Sequence, residues 1–143
     1  MPGLKPLAAL IAAMLVAGAG PARPDPVIGT WSNPKGTVVV RTAHCGNAIC
    51  GKVVRASPSA EEAARAAGTS RLVGTQILTG FRAVGAGRWQ GEAFIADRGV
   101  TVIATMVQLG PDALEIEGCG LGGYLCKRQL WRRTPPTRAR RPG

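Results

Sequence analysis

Histidine and aromatic residues are scarce in this chain: one His, three Trp, two Phe and one Tyr among 143 residues. With His44 alone, a Ser-His-Asp arrangement would hang on one residue of a predicted turn, and no nucleophile elbow accompanies it. Cys-x-x-Cys is absent and no βαβ pattern surrounds the cysteines, which argues against a thiol redox enzyme. The spacings that do occur, Cys45 to Cys50 and Cys119 to Cys126, are not the common zinc spacings, so no metal is expected. Neither Gly85-Ala86-Gly87 nor Gly120-Leu121-Gly122-Gly123 opens a helix, as a phosphate-binding loop must. Glu61/Glu62 and Glu115/Glu117 are adjacent carboxylates of the kind that simply carry solvated charge. No catalytic residue and no cofactor is therefore expected, and the chain is not expected to be an enzyme.

Long apolar runs are missing too, except at the start. Lys5 precedes an uncharged apolar run, Pro6 to Val16, and Ala17-Gly18-Ala19 has the small-x-small pattern of a signal-peptide cleavage site. Residues 1–19 are expected to be a signal peptide, which predicts a periplasmic or secreted protein. Residues 20–26 are a Pro-rich lead-in, 27–133 a single domain, and 134–143 a disordered basic tail. The formal charge of +10 suggests nucleic acid until it is located. Asp25 to Trp131 holds 11 Lys and Arg against 8 Asp and Glu, whereas Arg132, Arg133, Arg138, Arg140 and Arg141 follow without an acid. No specific nucleic-acid partner is expected. Weak electrostatic contact with an anionic envelope surface is. Nothing in the sequence sets an oligomeric state.

What the chain has in quantity is strand grammar. Val27–Trp31, Thr37–Thr42 and Ile49–Ala56 read as three strands, the second rich in β-branched residues. Ser59 then resembles an N-cap, with Glu61 and Glu62 in a first turn and an Ala-rich helix over 60–67 that Gly68 stops. Leu72–Val84 reads as a curved or bulged strand broken by Gly74 and Gly80. Arg88–Ile95, Val100–Leu109, Leu114–Glu117 and Tyr124–Arg133 complete about eight strands joined by short turns. The fold class is all-β: an antiparallel up-and-down barrel with one short helix after the third strand. Such a barrel either fills with side chains or holds one small ligand.

Four cysteines allow three connectivities in an oxidising compartment. Cys45–Cys50 and Cys119–Cys126 are the expected pairs, because residues facing each other across a hairpin lie near disulfide distance. A cross-pairing would need the two turns to meet in space. Candidate ligand contacts are Trp89, Phe94, Ile103, Met106 and Tyr124 facing the interior, with Arg88 or Gln90 as polar anchors at the rim. Core filling is the alternative role for each.

Gly29-x-Trp31, Cys45-Gly46-x-x-x-Cys50-Gly51, Gly80 ahead of Gly87-x-Trp89-x-Gly91, Gly118-Cys119, Cys126 and Trp131-x-Arg133 occur in this order. The set resembles the bacterial exported family known as domain of unknown function 2147. That resemblance implies a small lipocalin-like barrel, with a cavity for a small hydrophobic ligand and no established molecular role. It also implies that Trp31 on the first strand packs under Arg133 from the last, closing the base of the barrel by a cation–π contact. The functional expectation is an exported barrel that binds a small hydrophobic or amphipathic molecule. The alternative is a non-catalytic structural or interaction protein of the cell envelope, using the basic tail and outer barrel face.

Overall fold

The computed structural model describes Gly3 and residues 26–135. Apart from Gly3, the expected signal peptide lies outside the described residues, as do most of the expected lead-in and nearly all of the expected tail.

Eight antiparallel strands follow one another around a closed barrel: β1 (Gly29–Ser32), β2 (Val38–Cys45), β3 (Ala48–Ala56), β4 (Gln76–Gly85), β5 (Arg88–Ile95), β6 (Val100–Gly110), β7 (Ala113–Gly120) and β8 (Leu125–Arg133). Each strand pairs with the next in sequence, and β8 returns to β1, as the regular alternation of apolar runs and tight turns predicts. The ring is completed by two residue pairs, Trp31 with Arg133 and Ser32 with Arg132. Beyond them β1 has ended, so among the described residues Leu125–Leu130 of β8 pairs with β7 only.

The one α-helix among the described residues, α1 (Pro58–Ala66), follows β3 as expected but starts earlier than the sequence suggests. Ser57, not Ser59, is the N-cap: its backbone is extended and its hydroxyl accepts from the Ala60 amide at 3.1 Å. Pro58 then occupies the first helical turn, where its missing N–H costs nothing. The fourth strand begins later than expected. Leu72–Thr75 is instead a turn tied to β3, with the Gly74 amide donating to Val53 at 2.7 Å and the Val53 amide donating to Thr75 at 3.0 Å. Gly80, at φ +65°, sits where the β4–β5 register shifts, a position that needs a residue free to enter the left-handed region.

Alternation along the strands decides what fills the barrel. Trp31, Val40, Ile49, Phe81, Trp89, Met106 and Leu114 all face inward and form one core cluster with Trp131. They lie toward the end of the barrel that carries the β2–β3, β4–β5 and β6–β7 hairpins. Three large indoles and a phenyl ring fill this half, which explains how so few aromatics suffice. Both expected disulfides are present and pin hairpins. Cys119 lies directly opposite Cys126, whereas Cys45 and Cys50 are diagonal neighbours across β2 and β3, with Cα atoms 4.0 and 6.0 Å apart respectively.

Candidate functional site

The base of the barrel is closed by Arg133. Its guanidinium carbon stands 4.3 Å from the centre of the Trp31 ring. The same group donates to the carbonyl of Ile28 at 3.1 Å, to that of Pro111 at 2.9 Å, and to that of Pro26. Trp31 is fully buried, and its indole N–H donates to Val27 at 3.1 Å. One cation thus ties the segment before β1, the β6–β7 turn and the last strand together. Arg132, one residue earlier, points outward to solvent, as strand alternation requires.

The opposite half of the barrel is not filled. A partly open cavity of about 480 Å³ is walled by Val38, Val53, Leu72, Ile77, Phe94 and Ile95, with Trp131 at its inner side. Ala60 and Ala63 of α1 and the β1–β2 turn from Asn33 to Thr37 border it. Its volume falls within the roughly 300–1,000 Å³ typical of small-molecule sites. The helix is held over this end by Glu61, whose carboxylate accepts from the Leu72 amide at 2.8 Å and the Val73 amide at 3.0 Å. Those two amides, Leu72 first, hold the Glu61 carboxyl below the usual carboxylate range, aided by Arg65 and Arg71. Glu61 is therefore a clamp on the α1–β4 connection and not merely solvated charge.

Polar groups at this cavity come from Gln129 in the unpaired part of β8 and from two turns, with Lys127 near it on the same strand face but outside the lining. Register places Ile116 opposite Gln129 and Gly118 opposite Lys127, so both β8 side chains share the inward face of Leu114 and Trp131. They are nonetheless exposed, because β1 stops before it can cover them. The Trp131 indole N–H donates to Gln129 Oε1 at 2.9 Å. Lys35 and Asp97 line the cavity from the β1–β2 and β5–β6 turns.

Of the five side chains expected to face the interior, Trp89 and Met106 do, packed in the filled half; Phe94 borders the cavity from the end of β5, although its odd spacing from Trp89 puts it off the inward face. Ile103 and Tyr124 do not. Ile103 is 54% exposed: it is three residues from Met106, so a regular strand puts the two on opposite faces. Tyr124 is 91% exposed because it belongs to the β7–β8 turn, one residue before β8 begins. Arg88 and Gln90 are correspondingly wrong as rim anchors, since both point outward from β5. Lys127 and Gln129 were missed; their alternation with Trp131 was legible, but the short β1 that exposes them was not. His44 is exposed at the end of β2. Glu117, Cys119 and Cys126 cluster on the outer wall, but the two sulfurs are joined to each other and Glu117 is bound by Arg128 at 2.9 Å. That cluster offers no thiolates.

A second hollow, of about 610 Å³, is shallower and lies outside the closed base, between Arg41 on β2 and Arg132 on β8.

Comparison with known proteins agrees with the architecture. A family model described as "Uncharacterized protein conserved in bacteria (DUF2147)" matches residues 29–133. No curated protein matches the chain. Among solved structures it is similar to protein HP1028 from Helicobacter pylori, described as belonging to the lipocalin family, at 15% identity and a TM-score of 0.57. The match covers 76% of this chain and 82% of that one. At that identity the likeness speaks for the fold alone.

Proposed function

We propose that this chain, which belongs to the DUF2147 family of bacterial proteins and folds as a lipocalin-like barrel, binds a small hydrophobic or amphipathic molecule without transforming it. The carrying observation is the division of the interior: one half close-packed, the other an apolar cavity of about 480 Å³ that opens to solvent. Packing the whole interior would stabilise the barrel more, since an empty apolar cavity forfeits dispersion contacts and burial. The non-catalytic part of the reading rests on the polar groups at the cavity. His44 lies at the far end of β2, and no catalytic pair of nucleophile and base meets at the mouth among the described residues. An extracytoplasmic location, periplasmic or secreted, is supported by the two disulfides and the bacterial family.

The test is uptake of a neutral, environment-sensitive naphthylamine dye, followed by its fluorescence. The wild-type protein takes up the dye. An Ala60→Trp variant, whose indole would grow from α1 into the cavity, retains the fold by circular dichroism and loses most of the uptake. Equal dye binding by both proteins would sink the reading.

One observation favours the second role, contact with an anionic surface. Arg41 on β2 lies directly opposite Lys52 on β3, and like charges in that position are destabilising. Neither has an ion pair among the described residues, and Arg55 and Arg132 extend the same outer face. Binding to anionic vesicles that disappears between low and high salt, and weakens in Arg41→Ser, supports this reading. Salt-independent or absent binding ends it.

A further inference from the structure

The cavity specifies more than an apolar occupant. An indole N–H can only donate, so the bond from Trp131 to Gln129 fixes which way the Gln129 amide faces. Its oxygen is turned toward Trp131, and its NH2 group is left to present two donors. Lys35 lines the cavity and adds an ammonium group from the β1–β2 turn, and Lys127, two residues along the same inward face of β8 as Gln129 though outside the lining itself, adds a second. Neither lysine has an ion pair among the described residues, whereas Arg128, the outward-facing residue between Lys127 and Gln129, is held by Glu115 and Glu117. Asn33, which also lines the cavity, spends its amide on Thr37 and Val38. Asp97 is the one acidic group in the lining. The unspent polar chemistry of the mouth is therefore mostly donor and cationic, beside an apolar wall.

We infer that the ligand is a single-chain anionic amphiphile, its apolar chain in the cavity and its carboxylate or phosphate head against Gln129, Lys127 and Lys35. This rests on the binding role proposed above. The neutral wall sets the tail, and the donors at the unpaired stretch of β8 set the head. Gln129 is placed to fix the head by hydrogen bonds, while the two lysines supply charge that neutral ligands cannot use.

Four ten-carbon probes separate the possibilities by isothermal titration, all below their micellar concentrations: decanoate, decyl phosphate, decanol and decylamine. Decanoate or decyl phosphate, or both, binds at least tenfold more tightly than decanol, and decylamine binds more weakly than decanol; which anion is preferred identifies the head. In the Lys35→Glu/Lys127→Glu double variant, with an unchanged melting temperature, the preference for anions over decanol disappears. Gln129→Leu reduces binding of the anions while leaving decanol within about twofold. Equal binding of anions and decanol, or an anion preference untouched by the double variant, overturns the inference but leaves a neutral-ligand cavity standing. Failure of all four probes, together with failure of dye uptake, overturns the cavity reading and this inference with it.

Discussion

Replacing Arg133 by Ala removes the group that closes the base of the barrel, and the loss can be worked out contact by contact. The cation over the Trp31 ring is worth about 1 kcal/mol in a partly desolvated setting. A hydrogen bond from a charged donor contributes about 1.5–3 kcal/mol. That full value fits only the bond to Ile28, because the Arg133 side chain is 30% exposed and water can replace it at Pro26 and Pro111. Asp112, 3.7 Å away and 79% exposed, adds little. The sum is about 3 kcal/mol, which for a domain of this size lowers the melting temperature by roughly 10 °C or more. Arg133→Lys keeps a charge near the indole but cannot reach three carbonyls at once, so it recovers less than half of the loss. Urea and thermal unfolding, followed by Trp fluorescence and circular dichroism, measure both variants. A loss below about 0.5 kcal/mol for Arg133→Ala, the level of an ordinary surface substitution, would refute the reasoning.

Two further substitutions probe the wall and the clamp. A Cβ at Gly91 would lie 2.7 Å from both the Phe81 ring and the Thr79 carbonyl oxygen, and the latter is backbone that cannot swing aside. Gly91→Ala should cost about 1–3 kcal/mol in urea unfolding, whereas Gly110→Ala, whose Cβ meets nothing within 4 Å, should cost much less. Glu61 carries a carboxyl pKa lowered by folding, so its contribution is complete above the ordinary carboxylate value and is lost as pH falls through the lowered one. The stability difference between wild type and Glu61→Gln should therefore shrink on acidification, and a difference independent of pH would show that the carboxylate is not the clamp.

The fold was legible because its signals are local. β-branched runs, tight turns and paired cysteines recur along the chain, and strands in an up-and-down barrel pair with their sequence neighbours. The helix N-cap was displaced by two residues because Ser57-Pro58-Ser59 offers two hydroxyls, and only the proline's place in the first turn decides between them. The base, Trp31 with Arg133, was reachable through the family resemblance, although the two residues are far apart in sequence. The cavity was less legible. The outward position of Ile103 is legible in the sequence, since its odd spacing from Met106 excludes a shared face. Gln129 and Lys127 are a different case. Their exposure depends on β1 ending at Ser32, and strand ends are set by the pairing of both neighbours, which no single stretch encodes.

Occupancy of the cavity is tested most directly by native mass spectrometry of the protein purified from bacteria without detergent or organic solvent. A ligand-bound cavity gives a population heavier than the polypeptide by one small molecule, released on collisional activation and absent from Ala60→Trp. An apoprotein mass alone, from a protein that also fails to take up neutral or anionic ten-carbon probes, would contradict it.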